Sequence, residues 1–322
     1  MKVNKQMLHP DLRASYGAMK YVAWFLKRSW FRRFIDWSSR RTLYGEAIDG
    51  LECAEQYIPG SDGKSKIRLR IYRPPDCHEK LPAMLYFHGG GYIFGCPELY
   101  PEIIKRFITT RPCVVIAPDY RKAETEPFPG GFNDCYDTLL WAKANAHDLV
   151  INPDRFVIAG HSAGGGLTAA VTLKCRDTNE IDIAFQMPIY PMIDHLQPSD
   201  GDRHMETLVW DTELNRIGWE AYLAGLNRDG AEVSAYAAPA LNKDYQRFPP
   251  TITFVGDLEP FYQETKNYVQ ALREAGVEVS YREYKGCYHA FDMFGQDISE
   301  DAKKFTYDQY AEYYDRFISR AL

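Results

Sequence analysis

The sequence predicts an α/β protein with a mostly parallel central sheet and helices on both faces. Three observations carry that expectation. From about residue 82 onward, short continuous apolar runs recur, the composition of strands buried on both sides. All but one of these runs lead into a segment with helical spacing, and the exception leads into a polar insertion. Gly-rich turns stand where strand should give way to helix, as in "VIAGHSAGGGL" at 157–167. The chain of 322 residues is long enough to bury a full core, as one large domain or two modest ones, and α/β folds commonly run this long as a single unit.

The elements can be justified in order. "YVAWFLKRSWFRRFIDW" at 21–37 places Tyr21, Trp24, Phe25, Phe31, Phe34 and Ile35 near helical spacing, with Lys27, Arg28, Arg32 and Arg33 among them. It reads as one basic amphipathic helix, packed on its own domain with a solvated basic face; a helix that touches a membrane or roofs a pocket is the competing reading. From residue 51, "LECAEQYI" and "KIRLRIYRP" alternate like neighbouring strands around a turn at Gly60–Gly63. "PAMLYFHGG" should precede a helix near 99–110, "CVVIAPDY" one near 131–147, and "RFVIAGHS" one near 162–176. "IAFQMPIYP" leads into the polar insertion, "TITFVGD" into a helix near 261–275, and "VEVSYREYKG" into a final helix near 302–320. In such sheets reactive groups collect in the loops after the strand C-termini, here 88–95, 160–164, 256–260 and 286–292.

Composition narrows the function. A net charge of −6 argues against nucleic acid as the main partner, because phosphate binding needs a basic face. Seven scattered cysteines include no C-x-x-C pair, so no zinc ribbon or thioredoxin-like site is read, and no metal site is expected. Cys113 and Cys175 fall in apolar surroundings and read as small buried hydrophobes in a reducing compartment. The first residues lack the apolar core of a signal peptide, and no run of 18 apolar residues occurs. A cytoplasmic protein without stable membrane insertion is expected.

The predicted loops contain a matching set of chemical groups. "GHSAG" at 160–164 has the form G-x-S-x-G, in which a strained strand-to-helix turn projects the serine hydroxyl from the end of the sheet. Taken alone it could be a merely packed Gly-Ser turn. The overlapping Gly164-x-Gly166-x-x-Ala169 is a poor dinucleotide fingerprint, since it lies inside the expected helix. "HGGGYIFG" at 88–95 allows close backbone approach, so the N–H groups of Gly89 and Gly90, with that of Ala163, are the candidate oxyanion hole. "YKGCYHAFD" at 284–292 supplies His289 as a base in the last loop. "VGDLEPF" at 255–261 offers both Asp257 and Glu259 as the acid, either of which could instead cap the next helix. Serine, then acid, then histidine is the order expected of an α/β-hydrolase.

With those motifs in place, the chain resembles the hormone-sensitive-lipase-like α/β-hydrolases, bacterial carboxylesterases that carry H-G-G-G upstream of G-D-S-A-G-G. The likeness runs from about residue 50 to the C-terminus and includes "YPMID" at 190–194 and "FPPTITFVGDLEPF" at 248–261. It implies a Ser162–Glu259–His289 triad, because Glu259-Pro260-Phe261 matches the slot of the family's usual aspartate; Asp257 is the runner-up. Two further departures are His161 in place of the usual Asp, and Arg121-Lys122-Ala123-Glu124-Thr125 in place of R-L-A-P-E. The usual glutamate's hydrogen bond would then come from Glu124, Glu126 or nowhere.

The resemblance also implies a helical cap, made by residues 1–50 and an insertion near 195–230, over a catalytic domain at 51–322. Trp24, Phe25, Trp210 and Trp219 are its candidate pocket walls, although each could simply hold the cap together. The implied activity is hydrolysis of short- to medium-chain carboxylic esters through an acyl-enzyme on Ser162, with no cofactor and a small-molecule ester as partner. A homodimer is compatible with this reading. The same triad would also serve an acyltransferase, amidase or thioesterase, and a ligand receptor is the non-catalytic alternative.

Overall fold

Side-chain alternation along the central strands sets the layering. In the run Leu81–Phe87, Ala83, Leu85 and Phe87 enter one apolar cluster while Met84 and Tyr86 enter another on the opposite face. All seven residues are buried, as in a strand covered on both sides. The computed structural model describes residues 1–294 and 296–319. Its strands are β1 (Glu52–Pro59), β2 (Lys66–Arg73), β3 (Leu81–Phe87), β4 (Val114–Pro118), β5 (Ile151–His161), β6 (Ile183–Ile189), β7 (Thr251–Gly256) and β8 (Val279–Tyr284). They form one sheet in the order β1-β2-β4-β3-β5-β6-β7-β8. β1, β2 and β4 pair antiparallel, and every pairing from β4 to β8 is parallel.

Helices α1 (Tyr16–Leu26) and α2 (Ser29–Thr42) precede the sheet. α3 (Pro101–Thr110) and α9 (Asp297–Phe317) cover one face through residues such as Phe107 and Tyr310. α4 (Gly130–Ala144) and α5 (Ala163–Thr178) cover the other, through Leu139, Leu167 and Val171. α6 (Thr212–Tyr222) and α7 (Ala224–Asp229) lie in the expected polar insertion, and α8 (Tyr262–Glu274) follows β7. Tyr268 and Leu272 of α8 join Ala169 and Leu173 of α5 in a third, smaller apolar cluster.

The single helix expected over 21–37 is two helices. Arg28 adopts an extended conformation (φ −92°, ψ 118°) and breaks the run. The break lets Arg32, one turn into α2, donate from Nη1 to the Leu26 carbonyl at 2.8 Å, which satisfies an acceptor left open at the end of α1. The final helix starts at Asp297, five residues ahead of the expected start at 302. There Asp11 accepts a bond from the Ile298 N–H at 3.1 Å. The expected end of that helix, residue 320, lies outside the described residues.

Candidate active site

The turn from β5 into α5 fixes the serine. Ser162 has φ 60° and ψ −120°, a backbone conformation that side-chain-bearing residues rarely hold. It is secured from both sides, its N–H donating to Ile189 O (3.0 Å) and its carbonyl accepting from Met192 N (3.0 Å) and Gly166 N (2.9 Å). The flanking glycines are a matter of space. A Cβ on Gly160 would stand 2.4 Å from Gly164 O, and one on Gly164 would stand 2.0 Å from Phe87 O.

Two loops bring partners to this hydroxyl. Ser162 Oγ donates to His289 Nε2 at 2.9 Å, and His289 Nδ1 donates to Glu259 Oε2 at 2.5 Å. The second oxygen of Glu259 accepts the Gly256 N–H at 2.9 Å, and the carboxylate has no solvent exposure. That pair of bonds fixes the histidine tautomer with Nε2 free to accept a proton. The structure leaves Asp257 outside this line, as its carboxylate accepts the Gly286 N–H at 2.7 Å and braces the loop after β8.

The Gly-rich loop after β3 is held by His88. Its Nδ1–H donates to Gly89 O at 2.7 Å, and its Nε2 accepts from Lys122 Nζ at 3.2 Å. Burial, and then the Lys122 charge, lower the His88 pKa to about 3, so the ring stays neutral. Lys122 thus occupies the altered R-K-A-E-T segment as a support for this loop, while Glu124 pairs instead with Arg32 of α2. Of the three predicted oxyanion donors, Gly89 lies against Tyr100: a Cβ on it would stand 2.8 Å from the phenol oxygen. Its N–H faces the Tyr100 hydroxyl and opposes the burial that raises that phenol's pKa. The N–H groups of Gly90, Gly91 and Ala163 meet no protein acceptor among the described residues.

His161, the unusual residue before the serine, is hydrogen-bonded through Nδ1 to the Tyr86 hydroxyl at 3.0 Å. Burial, with the neighbouring His289 second, lowers its pKa to about 3. Behind His289, the Tyr190 ring meets the imidazole edge-on at 4.9 Å between centroids, and its hydroxyl donates to Asp292 at 3.1 Å. Burial raises the Asp292 pKa to about 6 against that hydrogen bond. Tyr190 opens the "YPMID" segment and Asp292 closes "YKGCYHAFD", but the sequence assigned neither of them a role. His161, Asp292 and Tyr100 line a cavity of about 480 Å³ between α3 and α9.

The four predicted pocket residues separate. Trp210 borders the site: its ring lies 6.4 Å from His289, and a Cβ on Gly91 would stand 1.9 Å from its benzo edge. Trp219 is buried one layer further out against Tyr92, its indole N–H without an acceptor among the described residues. Phe25 packs in an aromatic cluster with Trp24, Trp30 and Phe31. Trp24 is half exposed with Arg28 stacked over it, so it faces outward and not into the site.

A hydroxyl on a strained turn, an oriented imidazole and a buried carboxylate make a nucleophile, a base and its orienting group. Residues 84–293 match a protein family described as having the α/β-hydrolase fold, which covers well over half of the chain. The chain belongs to that α/β-hydrolase family. Among curated proteins this α/β-hydrolase is 29% identical to carboxylesterase NlhH of Mycobacterium tuberculosis, over 74% of this chain and 76% of the relative. It is also 29% identical to an arylesterase of Saccharolobus solfataricus, over 70% and 73% of the two chains. Among solved structures, a bacterial heroin esterase superposes with a TM-score of 0.85 at 28% identity, covering 97% of this chain and 99% of that one. An esterase of Pyrobaculum calidifontis gives 0.79 at 27% identity, covering 95% and 98%.

Proposed function

We propose that the protein is a serine carboxylesterase that hydrolyses short- to medium-chain carboxylic esters. The observation that carries the reading is the unbroken line from Ser162 Oγ through both nitrogens of His289 to Glu259. His289 Nε2 takes the hydroxyl proton as Ser162 Oγ attacks the ester carbonyl carbon. The carbonyl oxygen becomes an oxyanion held by the N–H groups of Gly90, Gly91 and Ala163; Gly89 drops out because its N–H is turned to Tyr100. The tetrahedral carbon expels the alkoxide, which receives the proton from His289 and leaves as the alcohol. Water then loses a proton to His289, attacks the acyl-enzyme, and releases the acid while Ser162 is reprotonated. Glu259 keeps the imidazole oriented and offsets its charge in both halves. The three side chains suffice for this chemistry without a metal or organic cofactor.

Residues 1–50 and 195–230 form the cap in this reading, with Trp210 as the wall nearest the reacting carbon. The seven cysteines are all free thiols, which supports a reducing, cytoplasmic setting. Relatives named as esterases support an ester as substrate. Hydrolysis of p-nitrophenyl acetate, butyrate and octanoate by the wild type, but not by Ser162→Ala, is the expected result, with a fluorophosphonate label mapping to Ser162. Folded wild-type protein that neither turns over nor labels would overturn the proposal in favour of a ligand receptor.

A further inference from the structure

The N-terminal helices are amphipathic in an unusual sense, because the side away from the protein is not simply polar. Arg32 and Ser39 of α2 are buried, and Phe31 and Ile35 pack on the core, so residues 31, 32, 35 and 39 define its inner face. The opposite face carries Trp30, Phe34 and Trp37, spaced four and three residues apart, at 60%, 52% and 57% exposure. α1 adds Tyr21 and Trp24, at 68% and 50%. Half of the ten exposed large apolar or aromatic side chains among the described residues therefore stand on these two helices. Burial of the protein's own core does not account for them.

The charges around these rings have one sign. Between Tyr16 and Tyr44 the chain has seven basic residues and one acid, in a protein of net charge −6. Lys27 and Arg32 are spent inward on Asp211 and Glu124. Lys20, Arg28, Arg33, Arg40 and Arg41 remain exposed. Arg28 lies over the Trp24 ring and Arg41 over the Trp37 ring, at 4.5 and 5.8 Å from the centroids. Cations interleaved with aromatic rings along one helical face suit the boundary between headgroups and acyl chains. We propose that the outer face of α1 and α2 docks the protein on an anionic phospholipid bilayer, lying in the interface without crossing it.

The charge pattern selects the bilayer over a second copy of the chain. A twofold dimer through this face would bring the same five cations against themselves. Spanning is excluded for the described residues, none of whose helices is long and apolar enough to cross a membrane. Docking would also serve the site, since Asp36 of α2 accepts the N–H of Gly95 at 3.0 Å, at the end of the Gly-rich loop. Esters dissolved in the bilayer would then lie about one helix diameter, roughly 10 Å, from that loop.

Co-flotation of the full chain with phosphatidylcholine vesicles, with and without phosphatidylglycerol, tests the proposal. The wild type should float with the anionic vesicles and not with the neutral ones. Two variants, Tyr21→Ser/Phe34→Ser/Trp37→Ser and Arg28→Gln/Arg33→Gln/Arg41→Gln, should each lose about tenfold or more in partitioning. Their hydrolysis of a water-soluble ester should stay at the wild-type level, which reports an intact fold. Wild type that ignores anionic vesicles overturns the proposal, as do variants that bind like the wild type. A dimer in light scattering that the aromatic variant dissolves, without vesicle binding, would assign the face to a second copy. Vesicle binding by a protein inactive on every ester would refute the esterase reading and leave the docking surface standing.

Discussion

Replacing Glu259 with glutamine tests the proposed mechanism at its most constrained point. The carboxylate serves two donors at once, the Gly256 N–H at 2.9 Å and His289 Nδ1 at 2.5 Å. Glutamine has one carbonyl oxygen to share between them. With that oxygen toward Gly256, the amide NH2 faces Nδ1, the ring must carry its proton on Nε2, and Nε2 can no longer accept from Ser162. With the amide reversed, the working tautomer survives but the buried Gly256 N–H faces another donor, at a cost of about 1–3 kcal/mol. The population in the working arrangement therefore falls by roughly 5- to 150-fold. Loss of the negative charge beside the transient imidazolium adds to this. Together these give a fall in kcat on the order of 10³- to 10⁴-fold, or about 4–5.5 kcal/mol. The measurement is steady-state hydrolysis of p-nitrophenyl butyrate beside a thermal melt that shows the variant folded. A folded Glu259→Gln protein within about tenfold of wild-type kcat would refute the assignment of the acid.

Asp257→Asn should leave kcat within about threefold of wild type, because an amide carbonyl can still accept the Gly286 N–H, a bond net worth about 1 kcal/mol; the same esterase assay decides it. Gly90→Ala should lower kcat on the order of 100-fold. Its new Cβ would stand 2.0 Å from Phe94 O at a residue with φ +121°, so the loop must move; an unchanged kcat would remove Gly90 from the oxyanion hole. Asp292 has its carboxyl pKa raised by burial from 3.8 to about 6, so its neutral form favours the folded state. That contribution is full below about pH 4 and is lost as the pH rises through about 6. Asp292→Asn should therefore match wild-type stability near pH 4 and exceed it by about 3 kcal/mol near pH 8, in urea unfolding at both values; a gain confined to acid pH would reverse the sign and refute this. Glu124→Ala strands the buried Arg32 guanidinium with only the Leu26 carbonyl, and should make α2 open more readily by about 3 kcal/mol, read as faster amide exchange over residues 29–42.

The centre of the sheet was legible because strands such as β3, β4 and β7 are continuous apolar runs buried on both faces. The strained serine was legible for a local cause, the crossing of Gly160 and Gly164 against the end of β3. The choice between Asp257 and Glu259 was not local. Two residues apart in one loop, they are told apart by what approaches from the loop after β8: a backbone N–H for one and an imidazole for the other. The break between α1 and α2 was hidden because the apolar spacing runs straight through it. What sets it is Arg32 folding back onto Leu26 and Lys27 reaching Asp211 far along the chain. Lys122 is a similar case, a surface-type residue by composition that is buried because His88 needs a donor. The proposed exchange of Gly89 for Gly91 in the oxyanion hole turns on Tyr100, a neighbour that only the folded loop supplies.

The way the N-terminal helices are fastened has a consequence for substrate entry. Much of what ties them to the rest of the molecule is polar and discrete: Lys27 to Asp211 at 2.5 Å, Arg32 to Glu124, Asp36 to the Gly95 N–H, and Tyr44 just beyond α2 to Asp119. Apolar contact with the core comes from Val22, Leu26, Phe31 and Ile35 on one cluster and from Tyr16 and Met19 on the other. The polar fastenings can let go one at a time, ahead of the apolar contacts beneath them. Its two ion pairs also weaken as counterions accumulate, the less buried Lys27–Asp211 pair first. In the proposed reading of these helices as a cap, ionic strength becomes a control on access, independent of how fast the serine reacts once a substrate is inside.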